Sequence, residues 1–366
     1  MCVERITSMT NKNLQLAKSQ KNDEFYTQFE DIQREIDFFL GFNKKLFWDK
    51  SILLPCDNPE TSQFAKFFLL NFRRLGLKCL ICTSLARKNV EGRSLENLDF
   101  ADSLKYGRRL VVTRDLKNGG LCVRDEKLNS NGDFRNKEIG RLLESVDFVI
   151  TNPPFSLFRE FLDWLVESGK AFLIIGCLNS VSCKNIFRLF KDNKIWFGLD
   201  FLGNNAFFQI PQDCIGYTFD GNGLVKFRNI AWFTNIEHPH RHRRLDLRTM
   251  SVNLERFKFK RKATFLYKKY DNYEAIEIPL LEAIPSDYFG VMGVPVSFLN
   301  KFCPEQFEIL NANDYRTDLN HFDFSSSAYF DMVARPRING INIYRRVFIK
   351  AIKRPGESFL PVRSNK

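Results

Sequence analysis

The chain has 366 residues, of which 44% are hydrophobic, so a substantial core is available and the length suggests two domains. A net charge of +12 points to a polyanionic partner, nucleic acid first, with a generally basic surface as the bland alternative. The N-terminal MCVERITSMTNKN has no apolar signal region and no apolar run approaches a membrane span, so a cytoplasmic protein that does not enter membranes is expected.

In chain order, the polar residues 1–22 are expected to be a flexible N-terminus. In DEFYTQFEDIQREIDFFLGF, Phe29, Ile32, Ile36 and Phe39 recur at helical spacing, which predicts an amphipathic helix ending near Gly41. SILLPCDNPETSQFAKFFLLNFRRLGLKCLICTS then reads strand, helix, strand. Its CDNPET turn offers Asp57, Asn58 and Thr61 as helix caps, and the unit implies a parallel sheet. Residues 86–131 are polar and hairpin-like, an excursion from that sheet. The helix RLLESV, the strand DFVIT, the helix FREFLDWLVESG and the strand AFLIIG follow. Sustained alternation predicts a doubly wound α/β domain to about residue 200. Beyond it, FFQIP, IGYTFDGNGLVKFRNIAWFTNI and KFKRKATFLYKKYDNY read as β-rich, with basic residues interleaved among aromatics.

Nine scattered cysteines, an odd number, fit reduced thiols. Cys79 and Cys82 form a lone CxxC inside an apolar run with no second pair, and no metal site is expected. His238, His240 and His242 alternate, but no carboxylate or thiol cluster accompanies them.

The most informative stretch is DFVITNPPFS. Asn152 to Phe155 follow a buried strand, and in an open α/β sheet ligands sit beyond the carboxyl ends of strands. The prolines stiffen the corner and remove backbone donors. The Asn152 amide oxygen and the Pro153 carbonyl can then accept both hydrogens of an aromatic amine while Phe155 stacks on its ring. Holding the amine in this way favours a pyramidal nitrogen and frees its lone pair. The ordinary alternative is a proline-rich turn after a strand.

At this point the sequence resembles the EcoRI-type adenine-specific DNA methyltransferases. The resemblance covers DEFYTQFEDI, LPCDNPETSQF, NGDFRNKE, TNPPFSLFREF, FLIIG, NIFRLFKDNKIWFG, WFTN, YDNYEAIEI, VMGVPVSFLNKFCPEQFEIL and INGINIYRRV, in collinear order over nearly the whole chain. It implies S-adenosylmethionine-dependent methylation of adenine N6 in double-stranded DNA. It also implies the α/β methyltransferase fold, a doubly wound, mostly parallel seven-stranded sheet, with a C-terminal β-rich DNA-recognition region. By this resemblance Asn152, Pro153, Pro154 and Phe155 match the catalytic tetrad. Tyr26, Thr27, Asp57, Asn58, Pro59, Asp133 and Phe134 match cofactor-binding positions, Asp57 toward the cofactor's ammonium group and Asp133 toward its adenine. The family's glycine-rich turn is replaced by CDNPE, and the second strand ends in Thr83 and Ser84 with no acidic residue for the ribose. After FLIIG the chain reads GCLNSVSCKN, keeping Asn179 but placing Cys183 where the family has tyrosine.

The expected division is a flexible segment 1–22, a catalytic domain 23–203 and a recognition region 204–366. HPHRHRR and RFKFKRK are the densest cationic stretches, and Arg241, Arg243, Arg244, Lys258, Lys260 and Arg261 are the expected phosphate contacts. A bland alternative makes RFKFKRK a strand with Phe257 and Phe259 inward. A monomer is expected, with a cognate restriction endonuclease encoded separately. Two other functions fit the tetrad: an RNA or protein-amide methyltransferase, and a DNA-binding homologue with impaired catalysis.

Overall fold

The computed structural model of the protein describes residues 26–86, 105–115, 119–199, 206–209, 219–317 and 334–353. The expected flexible segment 1–22 lies outside them. The chain forms two compact units, residues 1–178 with 197–237, and residues 179–196 with 238–366. The boundary expected at 203/204 lies outside the described residues.

The first unit runs β1 (Tyr26–Thr27), α1 (Phe29–Phe42), β2 (Ser51–Leu54), α2 (Gln63–Leu70), β3 (Cys79–Ser84), β4 (Arg108–Arg114), β5 (Leu121–Lys127), α3 (Lys137–Glu144), β6 (Phe148–Thr151), α4 (Phe158–Ser168) and β7 (Ala171–Cys177). It continues through Phe197 of β8 (Trp196–Phe197), whose Trp196 belongs to the second unit, and through β9 (Ala206–Gln209), β10 (Val225–Phe227) and β11 (Ile230–Thr234). Among the described residues eight strands form the central sheet, in the order β5-β4-β3-β2-β6-β7-β11-β8. The parallel part is its centre, where β3 pairs with β2, β2 with β6 and β6 with β7. The expected mostly parallel α/β sheet fits at this centre, and further described strands lie on both flanks. The polar hairpin β4–β5 is no excursion. β4 pairs antiparallel with β3, setting Val111 and Val112 opposite Ile81 and Leu80, and so extends the sheet. IAWFT, expected in the C-terminal region, is β11, antiparallel to β7 and buried at every position.

Local sequence explains the central elements. β2 and β6 are buried at all four residues, because helices cover a parallel sheet on both faces and alternation is lost. α1 turns Ile32, Ile36 and Phe39 into the core, as their spacing predicts. α2 is capped by Ser62, whose hydroxyl accepts from the amides of Phe64 and Ala65, and not by Asp57, Asn58 or Thr61. Gly176 on β7 lets α4 approach closely, since a Cβ there would lie 2.2 Å from the Phe158 ring.

The second unit contains α5 (Lys184–Lys191), α6 (Met250–Phe257), β12 (Ile276–Glu277), β13 (Met292–Pro295), β14 (Phe307–Leu310), a hairpin of β15 (Arg337–Ile338) and β16 (Ile341–Asn342), and β17 (Arg346–Ala351). β12-β13-β17-β14 form one sheet, fastened internally by a buried ion pair in which Arg346 donates to Glu277 at 2.6 Å. KFKRKATFLYKKYDNY is not the β segment expected. RFKFKRK closes α6 and enters a 3-10 turn over Arg261–Ala263. The reason is Asn253, buried one helical turn before Phe257 and hydrogen-bonded to the carbonyls of Arg248 and Ala283 and to the Tyr267 hydroxyl. Phe257 is buried while Phe259 is exposed, so the alternating inward pair is absent.

Candidate active site

From β2 the chain steps sideways to β3 and later returns to place β6 on the opposite side. Such a reversal opens a crevice beyond the carboxyl ends of the strands, here between β2 and β6. Asp57 lies in the turn after β2, and Asn152 directly follows β6. At these two strand ends the Thr151 hydroxyl donates to Asp57 Oδ2 at 2.6 Å. Ser62 Oγ donates to Asp57 Oδ1 at 2.5 Å. Burial pushes the Asp57 carboxyl up to about 6, against the opposing pull of these two hydroxyls. A carboxylate has about four acceptor sites, so two remain for a ligand.

Neighbouring turns hold this carboxylate in place. Asp57 N donates to the Thr83 carbonyl at 3.0 Å, and Thr83 Oγ1 donates to the Pro55 carbonyl at 3.1 Å. Asn58 Oδ1 accepts from Glu60 N, and the Asn58 carbonyl accepts from Ser62 N, so Asn58 and Pro59 form a fixed turn. Beyond β3, where no acidic residue occurs, the backbone of Gly107 and Gly132 presses on the Ser84 carbonyl. Gly132 has φ +82°, and a Cβ there would lie 2.2 Å from that oxygen.

At the corner itself, the Pro154 carbonyl accepts from Leu157 N at 3.0 Å and closes the turn into α4. No hydrogen bond reaches the Pro153 carbonyl among the described residues. Asn152 is half-buried beside it. Phe155 differs from expectation. It is only 6% exposed and meets Phe208 and Phe227 edge-on, with centroids 6.4 Å away in each case. Its ring is a core element here rather than an open platform, because the small sheet β1-β9-β10 packs against it.

That small sheet brings in the N-terminal motif. Thr27 pairs with Phe208 across β1 and β9, and directly opposed residues share a face. Thr27 is 2% exposed, and its buried hydroxyl has no hydrogen-bond partner among the described residues. A buried hydroxyl without a partner is costly, so this one is suited to a polar group of a ligand. The side chain of Tyr26 lies outside the described residues.

Asp133 and Phe134 lie in the turn just before α3, with partners of their own. Arg135 donates to Asp133 through Nε at 2.8 Å and Nη2 at 2.6 Å, which holds the carboxyl below the usual carboxylate range. Phe134 is buried against Phe161 and Trp164. Asn179 is exposed in a 3-10 turn, and Cys183 directly precedes α5 without a side-chain cap hydrogen bond, both in the second unit. Ser62 and Thr151, which fix Asp57, were not singled out from the sequence. Ser62 was legible as a helix cap, whereas Thr151 reads only as the last residue of an apolar strand.

In the second unit, Arg243, Arg244, Lys258, Lys260 and Arg261 are exposed. Arg241 is not. It is buried, its guanidinium 3.6 Å from the Trp196 ring centroid and donating to Asn193. The expected phosphate contact is therefore a packing residue, since the flat guanidinium covers an indole that would otherwise face water.

Comparison with known proteins identifies the family. The family model described as adenine-specific methyltransferase EcoRI matches residues 13–352. The Type II methyltransferase M.EcoRI of Escherichia coli is 38% identical over 351 residues, covering 93% of this chain and 97% of its own length. M.MgeORF184P of Mycoplasma genitalium is 34% identical over 343 residues, covering 91% and 97%. M.MpnI of Mycoplasma pneumoniae is 34% identical over 311 residues, covering 82% and 86%. No solved structure matches. A site at the sheet's reversal point, an Asn-Pro-Pro-Phe corner on it and a match running almost end to end place this chain in the EcoRI family of adenine-specific methyltransferases.

Proposed function

We propose that the protein methylates N6 of an adenine extruded from duplex DNA, at sites fixed by sequence, using S-adenosylmethionine. The observation that carries this is the Thr151–Asp57 hydrogen bond, which couples the turn suited to an ammonium group to the strand that ends in Asn152.

S-adenosylmethionine, when bound, supplies a methyl group on a positively charged sulfur. Asp57, deprotonated, binds the ammonium of its methionine part, and the Thr27 hydroxyl meets a polar group on the other side of the corner. Asn58 and Pro59 shape the turn, and Tyr26 completes the contact from β1. Asp133 keeps its pairing with Arg135 and accepts from an adenine amino group through its remaining lone pairs, while Phe134 supports that loop from the core. The Asn152 amide oxygen and the Pro153 carbonyl accept the two N6 hydrogens of the target base. This draws the nitrogen lone pair out of conjugation and aims it outward. No strong base is needed, because the proton becomes acidic as the new bond forms. Pro154 and the buried Phe155 keep the corner rigid.

Extruding the base costs roughly a few kcal/mol. Arg243, Arg244, Lys258, Lys260 and Arg261 offset this by binding phosphates. The enzyme acts as a cytoplasmic monomer, paired with a separately encoded restriction endonuclease.

The test is Asn152→Ala, assayed with radiolabelled S-adenosylmethionine and duplex DNA. Transfer should fall by about a hundredfold or more, by analogy with the loss of one transition-state donor, while cofactor affinity by calorimetry is unchanged. Wild-type turnover in the variant would remove the clamp from the mechanism.

A further inference from the structure

Thr83 and Ser84 end β3, and their two hydroxyls are used differently. Thr83 Oγ1 donates to the Pro55 carbonyl at 3.1 Å. Ser84 is 8% exposed, and its hydroxyl takes part in no hydrogen bond among the described residues. We propose that the Ser84 hydroxyl holds the ribose of S-adenosylmethionine, a task given to a carboxylate in dinucleotide-binding sheets. The inference rests on the cofactor reading proposed above and adds to it a contact for the middle of the cofactor.

Position is the first argument. β2 and β3 are adjacent parallel strands with Leu54 opposite Cys82, and such neighbours lie about 4.8 Å apart. Asp57, the group proposed for the ammonium, donates its amide to the Thr83 carbonyl at 3.0 Å, which places it beside the residue before Ser84. On the other side, Gly107 and Gly132 cross the end of β3. A Cβ would lie 2.5 Å from the Ser84 carbonyl oxygen at Gly107 and 2.2 Å from it at Gly132. Two backbone bonds fix this crossing, Gly107 N to the Ser130 carbonyl and Ala86 N to the Asn131 carbonyl, each at 2.8 Å. Asp133, the group proposed for the adenine, directly follows Gly132. Ser84 therefore lies between the residues assigned to the two ends of the cofactor. Cys56 reports the same closeness. Burial, then the charges of Asp57 and Asp133, push its thiol up, so both carboxylates bear on one side chain. A ligand with its ammonium at Asp57 and its adenine at Asp133 carries its ribose diol between them.

Orientation is the second. Ser84 is in register with Arg108 across β3 and β4, and directly opposed residues share a face. Arg108 donates to Glu60, in the turn that carries Asp57, and through Nε to Asp125 at 2.7 Å. The face that Ser84 shares thus leads to the Asp57 turn. Glu60 and Asp125 are both engaged by Arg108, whereas the Ser84 hydroxyl has no protein partner to give up. A serine hydroxyl donates and accepts, so it can pair with either hydroxyl of a ribose. A largely buried hydroxyl without a partner is costly, and a ligand hydroxyl removes that cost.

The test uses the full-length protein and S-adenosylhomocysteine, which keeps the ribose but has no methyl group to transfer. This ligand and its 2′-deoxy and 3′-deoxy analogues are titrated by calorimetry. Wild type should bind the ribose form more tightly than one of the deoxy forms by roughly two- to tenfold, the size of one hydrogen bond between uncharged groups. Ser84→Ala should melt as wild type does, lose that same factor for S-adenosylhomocysteine and bind it no better than that deoxy analogue. A Ser84→Ala protein that keeps the wild-type preference for ribose would overturn the assignment and leave the cofactor reading standing, whether or not its affinity for all three ligands falls together. A wild-type protein that binds all three ligands equally would do the same. A wild-type protein that gives no heat with S-adenosylmethionine or S-adenosylhomocysteine would overturn both.

Discussion

Asp57 Oδ2 accepts a hydrogen bond from Thr151 Oγ1 at 2.6 Å, and the two residues are separated by 94 positions in the chain. The contact crosses the point where the sheet reverses its order, tying the turn after β2 to the residue that precedes Asn152. Replacing Thr151 by Val keeps the side chain's shape and removes the donor. Hydrogen bonds to charged groups contribute about 1.5–3 kcal/mol, so affinity for S-adenosylmethionine should fall by roughly ten- to a hundredfold. Calorimetry at neutral pH measures this directly, and an unchanged dissociation constant would show that the contact does not tune the carboxylate.

Asp57 also sets an expected pH dependence. Its carboxyl is raised from 3.8 to about 6 by burial. A carboxyl raised in the folded state contributes stability that is full below about pH 4 and lost as pH rises through about 6. Binding of an ammonium group has the opposite sign, since it needs the ionised form. Affinity for S-adenosylmethionine should strengthen as pH rises through 6 and level off above it, while Asp57→Asn should bind weakly with no such rise. A titration of the dissociation constant from pH 5 to 8 distinguishes the two.

Gly176 is the point where β7 and α4 come closest. An alanine there must displace the Phe158 ring, whose edge lies 2.2 Å from the added carbon. Overpacking of this kind typically costs about 1–3 kcal/mol. Gly176→Ala should therefore melt several degrees lower and, because Phe158 begins the helix after the Asn-Pro-Pro-Phe corner, also turn over more slowly. A wild-type melting curve would mean that the helix yields without strain.

Arg241 and Lys260 separate packing from phosphate contact within one basic region. Arg241 stacks on Trp196 and bonds Asn193, so Arg241→Ala should destabilise the fold by about 2 kcal/mol and leave the salt dependence of DNA binding unchanged. Lys260 is exposed, and Lys260→Ala should melt as wild type while the slope of log affinity against log salt falls by about 1. Denaturant melts and anisotropy at several salt concentrations test both.

Local pattern carried a large part of this protein. Ile32, Ile36 and Phe39 announce α1 by spacing, the apolar runs announce β2, β6 and β7, and DFVITNPPF locates the corner, because each depends only on residues a few positions apart. Partners far apart in sequence depended on tertiary structure. The charged hairpin 108–127 reads as an excursion, yet its two valines find β3 and lengthen the sheet. IAWFT reads as part of another domain, yet it pairs with β7. Phe155, a candidate platform from sequence, becomes a core ring once β9 and β10 arrive beside it, and Arg241, one cation among many in HPHRHRR, is withdrawn onto an indole. The coupling of Asp57 to Thr151 has no sequence signature, because a hydroxyl at the end of a buried strand gains its meaning only from the carboxylate that a parallel neighbour brings within reach.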